Sequence, residues 1–239
     1  MKALVCIHGF GGLRTKDFDF LRSQCGKDGL TYFDFAMYDR IDRPDWRQWV
    51  KCAYRKVKSV CEQGYEVTLL GFSMGGVIAG YLASRLPVQR VVLVAPAYFY
   101  LGIDSGGRYL RRLGKMGMKE PQEMAAFINA RWLDARYVYE FVKLSGVLRQ
   151  SVKELNKPVL IIQASKDDIV PTYASRYAMH KVPHLDKQRC LMEGGNHEVL
   201  NDERLGREAY LQIRLFMEEI AAMPIQRDAN DIAVSNELW

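Results

Sequence analysis

Residues 65–83 have the sequence Tyr-Glu-Val-Thr-Leu-Leu-Gly-Phe-Ser-Met-Gly-Gly-Val-Ile-Ala-Gly-Tyr-Leu-Ala. The apolar positions at 67, 69 and 70 are typical of a buried strand, and those at 77, 78, 81 and 82 recur at helical spacing. Ser73 therefore lies at a turn between a strand and a helix. The rest of the chain can be placed around this serine.

Such a turn is the geometry of a nucleophile elbow, which presents a reactive serine between a strand and a helix. The backbone of the serine is strained there. Side chains two residues before and after it would collide, which explains the glycines at positions 71 and 75. The N-terminus of the following helix favours a developing negative charge. Because Gly-x-Ser-x-Gly also occurs by chance in ordinary turns, the assignment depends on whether an acid and a histidine follow in the right order.

The composition is that of an ordinary soluble protein with one large domain, or one domain with an insertion. Hydrophobic residues make up 49% and charged residues 26%, and the net charge of +6 is spread along the chain. No basic run is interleaved with aromatic residues, so we expect no nucleic-acid binding. The odd number of cysteines without Cys-x-x-Cys, and a strand directly after Met1-Lys2, favour a cytoplasmic protein without stable membrane insertion. The oligomeric state is not indicated.

The first predicted strand runs into a glycine-rich loop, His8-Gly-Phe-Gly-Gly12. One interpretation is a dinucleotide-binding fingerprint, since two glycines follow a strand and Asp34 lies about 20 residues further on. However, the third glycine of that pattern would fall at Arg14, whose side chain obstructs the close packing that glycine permits. We therefore expect no dinucleotide and no other cofactor.

An oxyanion hole is the better interpretation of this loop. An N–H from the loop after an early strand usually acts together with the N–H that follows the nucleophile. The predicted donors are the backbone N–H groups of Phe10 and Met74. His8 precedes the nucleophile and sits at the strand end, so we expect it to brace the loop.

Two candidate acids lie in the loop at 164–171, after another predicted strand. We choose Asp167, because Ile169 and Val170 should fold back onto the core and leave the earlier acid at the strand tip. Asp168 is the alternative and should face solvent.

The candidate general base is His197. It is delivered by Glu193-Gly-Gly-Asn-His197, a loop after the last predicted strand. It follows both Ser73 and Asp167 and completes the chain order serine, aspartate, histidine.

A metal site is the remaining alternative for the histidines. His180 and His184 are spaced i, i+4, but Pro183 breaks the helix between them and no third ligand is evident. We therefore expect no metal.

The regular alternation of strand and helix stops after the strand that ends near Pro96. Residues 98–150 contain nine Lys or Arg, five Asp or Glu and nine aromatic residues. We interpret this insertion as a helical cap, some of whose aromatic residues line an apolar pocket over Ser73. Helices are predicted around 108–115, 121–129 and 132–144. The predicted organisation is a core of residues 1–97 and 155–225, a cap of residues 98–154 and a tail of residues 226–239.

With these residues placed, the chain resembles the α/β-hydrolases over nearly its whole length, and among them the small bacterial carboxylesterases of the monoacylglycerol-lipase-like group. The motifs that carry the resemblance are His8-Gly-Phe10, Asp45-Trp46, Gly71-Phe-Ser-Met-Gly-Gly76 and Gln163-Ala-Ser-Lys-Asp167. It implies a mostly parallel central sheet flanked by helices, with a small cap inserted after Pro96. Residues 38–43 depart from it, since family members often have a Gly-His-Gly turn there.

The resemblance implies a carboxylesterase that cleaves small-molecule esters of short to medium acyl chain through Ser73, Asp167 and His197 and an acyl-enzyme intermediate. A serine aminopeptidase or a thioesterase would use the same triad, and a ligand-binding protein could retain the fold without turnover. An aminopeptidase would need acidic cap residues to hold the substrate amine. The candidates are Asp104, Glu120, Glu123, Asp134 and Glu140.

Overall fold

A computed structural model describes residues 1–11, 16–37, 44–100 and 135–219 of the 239-residue chain. The strands are β1 (Lys2–Ile7), β2 (Thr31–Phe35), β3 (Glu66–Phe72), β4 (Arg90–Val94), β5 (Val159–Ala164) and β6 (Lys187–Met192). The α-helices are α1 (Asp19–Lys27), α2 (Trp46–Glu62), α3 (Met74–Ala83), α4 (Ala135–Leu148), α5 (Tyr173–Lys181) and α6 (Glu203–Met217). Short 3-10 helices lie at Lys16–Phe18 and Arg149–Glu154.

The six strands form one sheet in the order β2-β1-β3-β4-β5-β6, and every neighbouring pair is parallel. The central strands are near-continuous apolar runs because both faces of a parallel sheet are covered. All six residues of β5 are buried, for example, including the polar Gln163. The predicted mostly parallel sheet flanked by helices is confirmed.

Successive side chains of each strand point to opposite faces of the sheet and form two separate hydrophobic cores, one on each face. Leu69 and Leu93 point to the face that α2, α3, α4 and α5 cover. Leu70 and Val92 point to the other face, where α1 and α6 pack. The sheet is thus the middle of three layers, and the carboxyl ends of β1, β3 and β5 lie at one edge.

Two covering helices begin at side-chain caps that the sequence supplies. The Asp45 carboxylate accepts from the N–H of Arg47 at 2.9 Å to start α2, and Asp202 accepts from Leu205 at 2.8 Å to start α6. Each cap satisfies a backbone donor that the first turn of a helix leaves unpaired. The amphipathic pattern then turns the apolar face of each helix onto the sheet.

The described residues include only part of the predicted insertion. The predicted helices at 108–115 and 121–129 lie outside them, as do residues 220–239. Where the sequence predicts a helix over 132–144, the structure has α4 at Ala135–Leu148, followed by the unpredicted 3-10 turn at Arg149–Glu154. Among the described helices, none has the length and apolarity required to cross a lipid bilayer.

Candidate active site

Ser73 occupies the sharp turn between β3 and α3. Its φ of 54° and ψ of −116° are unfavourable for a residue with a side chain. Three hydrogen bonds impose this conformation: its N–H donates to Val94 O at 2.9 Å, and its carbonyl accepts from Gly76 N and Ala97 N, each at 3.0 Å. Strain of about 1–3 kcal/mol persists only where surrounding structure enforces it, and such residues cluster at functional sites.

The glycines on either side of Ser73 are required by close contacts. A Cβ on Gly71 would lie 2.2 Å from Gly75 O, and a Cβ on Gly75 would lie 2.1 Å from Ile7 O. Both distances are far below a normal contact, and the obstructing atoms belong to the backbone. The Gly-x-Ser-x-Gly pattern therefore has a steric cause in this fold: the first turn of α3 packs directly on the ends of β1 and β3.

The Ser73 hydroxyl is not used to cap α3, although Ser73 is the N-cap residue. The residue is only 7% exposed. Its side chain thus sits in a sheltered position at the N-terminus of a 10-residue helix, where backbone N–H groups and the helix dipole favour an anion.

Asp167 lies in the loop after β5 and its side chain is almost fully buried. One carboxylate oxygen, Oδ1, accepts from the N–H groups of Ile169 at 3.0 Å and Val170 at 2.9 Å. The other, Oδ2, accepts from Gln163 Nε2 at 3.4 Å. The imidazole Nδ1 of His197 lies 2.9 Å from Oδ2 and 3.1 Å from Oδ1. Asp168 is exposed, so the earlier of the two acids is the one that faces the histidine.

His197 is buried and reaches Asp167 through its Nδ1. Because an ionised carboxylate only accepts hydrogen bonds, we assign the proton to Nδ1, which leaves Nε2 as the acceptor nitrogen. The loop that carries the imidazole bends through Gly194 and Gly195, with φ of 80° and 67°. A Cβ on Gly195 would lie 2.2 Å from a methyl carbon of Leu205, so this loop packs tightly on α6.

Phe72 connects the imidazole to the serine turn. Its ring centroid lies 4.9 Å from that of His197, and it immediately precedes Ser73. Within the described part of the chain, no hydrogen bond joins Ser73 Oγ to His197. Catalytic hydrogen bonds are often long without substrate and tighten in the complex, and rotation about one side-chain bond repositions a serine hydroxyl.

The loop after β1 is fixed by two side chains. The N–H of Gly9 donates to Asp17 Oδ2 at 2.8 Å. His8 accepts from the N–H of Met37 at 3.0 Å through Nε2, so its Nδ1 carries the proton and donates to Gly9 O at 2.8 Å. His8 is fully buried and joins β1 to the segment after β2, as a bracing role requires.

The two predicted oxyanion donors, the N–H groups of Phe10 and Met74, lie in the loop after β1 and at the start of α3. Phe10 follows the tethered Gly9, and among the described residues its N–H has no acceptor. Met74 is the first residue of α3, next to Ser73. The Gly75 contact with Ile7 O brings the β1 loop against this same first turn.

An aromatic wall formed by Phe10, Phe141 and Tyr100 lies beside the loop after β1, which is the predicted oxyanion loop. The ring centroids of Phe10 and Phe141 are 5.0 Å apart, and those of Phe141 and Tyr100 are 5.1 Å apart. The helix α4 that carries Phe141 is anchored by Glu140, whose Oε2 accepts from the N–H of Trp46 at 3.2 Å. This bond places a carboxylate at the N-terminus of α2, which is favourable for the helix dipole.

Sequence reasoning missed the supporting contacts of three residues, Asp17, Gln163 and Glu140, although Gln163 belongs to a quoted motif and Glu140 is a candidate for another role. Gln163 had a signal, because an amide in an otherwise apolar strand needs a polar partner, and it donates to both Asp167 Oδ2 and Val170 O. Asp17 and Glu140 had none, since each bonds a backbone N–H of a different segment.

Comparison with protein families gives one match. The model of a family described as serine aminopeptidase, S33, matches residues 111–204. That range contains Asp167 and His197 but not Ser73. No curated protein matches the chain.

Solved structures share the fold across most of the chain. A soluble variant of monoglyceride lipase from Saccharomyces cerevisiae superposes with a TM-score of 0.69 and 16% identity, covering 93% of this chain and 87% of that one. An esterase from Exiguobacterium antarcticum superposes with a TM-score of 0.63 and 17% identity, covering 91% of this chain and 92% of that one. The mouse α/β hydrolase domain-containing protein 10 superposes with a TM-score of 0.61 and 17% identity, covering 91% of this chain and 90% of that one. At these identities the likeness establishes the fold.

Proposed function

We propose that this chain, which has the α/β-hydrolase fold, is a serine hydrolase that cleaves carboxylic esters of short to medium acyl chain. The observation that carries the proposal is the buried pair of Asp167 and His197, joined at 2.9 Å beside the strained turn at Ser73. A buried carboxylate and imidazole next to a serine at a helix N-terminus form the arrangement that activates a serine nucleophile.

In the proposed reaction, His197 Nε2 takes the hydroxyl proton as Ser73 Oγ attacks the ester carbonyl. Asp167 holds the imidazole in the required tautomer and stabilises its positive charge. The oxyanion is received by the N–H groups of Phe10 and Met74. The imidazolium then protonates the departing alcohol, and a water molecule activated by His197 hydrolyses the acyl-enzyme and releases the acid.

Ester chemistry is supported by the surroundings of the oxyanion loop. Phe10 and Phe141 are half-buried and offer an apolar surface directly beside the proposed donor. An apolar acyl chain of modest length suits such a surface. Two of the structures that share the fold are a monoglyceride lipase and an esterase, which act on carboxylic esters.

Aminopeptidase activity is the second candidate, because the matching family model carries that description. It requires a carboxylate that holds the substrate amine. Of the five acidic candidates from the sequence, only Glu140 is described, and it is bonded to Trp46 N–H and to Lys143 Nζ at 3.2 Å. A carboxylate that already binds a helix N-terminus and a lysine is poorly placed to bind an amine, so Glu140 does not support this second candidate.

The test is a series of p-nitrophenyl esters of increasing acyl length, with amino-acid p-nitroanilides and an acyl thioester measured in parallel. We expect hydrolysis of the shorter esters, and a loss of about 10⁶ in turnover for Ser73→Ala in a folded protein. Preferential cleavage of the anilides would replace the ester proposal with the aminopeptidase, and preference for the thioester would indicate a thioesterase. No turnover of any substrate would indicate a ligand-binding protein.

A further inference from the structure

Arg149 lies at the start of the 3-10 turn after α4, and its side chain is half-buried. Its guanidinium has no carboxylate partner among the described residues, and its Nε is buried without a hydrogen-bond acceptor there. By contrast, six other guanidinium groups lie within 4.0 Å of a carboxylate: Arg22, Arg85, Arg90, Arg204, Arg207 and Arg214. A half-buried cation without a counterion costs free energy, which a bound anion would recover.

The surroundings of Arg149 orient its guanidinium. The group lies over the ring of Phe99 at 4.3 Å, so one planar face is covered by the aromatic ring. Because the five N–H donors of a guanidinium lie in its plane, this stacking directs them toward the rim, in the fork that matches a carboxylate or a phosphate. Phe99 is held in turn by Tyr173 and Tyr177, each with ring centroids 5.0 Å away.

The charge of Arg149 affects the pKa of two neighbouring phenols, Tyr100 and Tyr177. Burial raises the pKa of Tyr100, and the positive charge of Arg149 opposes that rise. The same two effects act on the pKa of Tyr177. Both phenols therefore lie within the electrostatic reach of the guanidinium, and neither neutralises it.

The position of Arg149 relative to Ser73 follows from the chain. Ala97 N–H is bonded to Ser73 O, and Phe99 is two residues further, a span of at most about 7 Å. Tyr100, next in sequence, belongs to the aromatic wall that continues through Phe141 to Phe10. The guanidinium thus lies at the far end of an aromatic surface that begins at the proposed oxyanion donor.

We propose that Arg149 is a recognition site for an anionic group, a carboxylate or a phosphate, carried by the substrate at a distance from the bond that is cleaved. This inference rests on the proposed function and narrows its substrate class to esters with an apolar spacer that ends in an anion. The spacer packs along Tyr100 and Phe141, and the anion forms paired charge-assisted hydrogen bonds with the guanidinium.

The test compares esters that differ only in this anion. One pair places it on the acyl side: p-nitrophenyl hexanoate and the mono-p-nitrophenyl ester of adipic acid. The second pair places it on the alcohol side: monobutyrin and monobutyryl glycerol phosphate. For each pair we measure the ratio of kcat/KM for the anionic ester to that for the neutral ester, which cancels general losses of activity.

We expect wild type to favour the anionic member of one pair, and the pair identifies whether the anion belongs to the acyl group or to the alcohol. Arg149→Met should lower that ratio by about 10- to 100-fold, as the loss of charge-assisted hydrogen bonds implies. Arg149→Lys should retain part of the preference, because it keeps the charge without the fork. The matched control is Arg176→Met, which removes an exposed arginine from α5 and should leave the ratio at its wild-type value.

The outcomes separate this inference from the proposed function. If the neutral esters are hydrolysed and Arg149→Met leaves both ratios unchanged, or Arg176→Met lowers them equally, the anion site is wrong while the esterase stands. If no ester is hydrolysed, the same pairs are titrated against Ser73→Ala by calorimetry. The anion site is supported if Ser73→Ala binds an anionic ester more tightly than its neutral partner and the added substitution Arg149→Met removes that difference. Equal binding of the two esters within both pairs overturns the site.

Discussion

Asp167→Asn removes one charge from the site and changes almost no volume. In the wild type, Oδ1 accepts from Ile169 N and Val170 N. The Nδ1–H of His197 is nearer to Oδ2, at 2.9 Å, than to Oδ1, at 3.1 Å. An asparagine keeps the two backbone bonds only if its oxygen takes the Oδ1 position. Its NH₂ group then replaces Oδ2 and confronts two donors, the imidazole N–H and Gln163 Nε2.

The imidazole relieves that conflict by moving its proton from Nδ1 to Nε2. His197 can then no longer accept the serine proton, since Nε2 is the nitrogen that must act as base. The loss expected for a wrong tautomer in a triad is about 10⁴ in kcat, or about 5 kcal/mol of transition-state stabilisation. The loop should remain folded because the bonds to Ile169 and Val170 survive.

The assay is steady-state hydrolysis of p-nitrophenyl butyrate, with thermal unfolding as the check on folding. The matched control is Asp168→Asn, which makes the same chemical change at the exposed neighbour and should retain near wild-type turnover. The reasoning is refuted if folded Asp167→Asn keeps activity within about tenfold of wild type, or if Asp168→Asn shows the larger loss.

Two further predictions concern stability. Gly75→Ala places a Cβ 2.1 Å from Ile7 O and should destabilise the protein by about 3 kcal/mol or more in denaturant unfolding. The control is Gly146→Ala in α4, where the Cβ has open space, and it should be neutral or stabilise the protein by about 0.5–1 kcal/mol. Equal effects of the two substitutions would contradict the steric account. Tyr98→Phe removes a buried hydroxyl without a partner among the described residues, so denaturant unfolding should show no loss of stability. A Cβ at position 80 would lie 2.4 Å from that hydroxyl, so Tyr98→Phe should also reduce the destabilisation caused by Gly80→Ala. A large loss for Tyr98→Phe would show that the hydroxyl makes a stabilising hydrogen bond.

The elbow could be predicted from sequence because its signals are local. A strand pattern, two glycines and a helical pattern within residues 65–83 leave one geometry for Ser73, and the glycine contacts show why. The choice of Asp167 over Asp168 also followed from local pattern, since Ile169 and Val170 were expected to turn inward. Both residues donate their N–H groups to Asp167.

Contacts between distant segments could not be predicted in this way. Gly9 N–H is bonded to Asp17, eight residues further on, and Trp46 N–H is bonded to Glu140 about 90 residues away. Neither acid carries a local mark that distinguishes it from other surface acids. Arg149 was hidden for the same reason: the sequence shows one more basic residue in the insertion, and only the fold shows that it lacks a carboxylate among the described residues while lying over Phe99.

The most direct measurement of the central claim is covalent labelling by a fluorophosphonate, read by intact mass and peptide mapping. Because only an activated serine reacts rapidly with such a probe, we predict a stoichiometric adduct on Ser73 of the wild type, no adduct on Ser73→Ala, and greatly slowed labelling of Asp167→Asn. An adduct on a different residue, or ester hydrolysis that persists in unlabelled Ser73→Ala, would contradict the account.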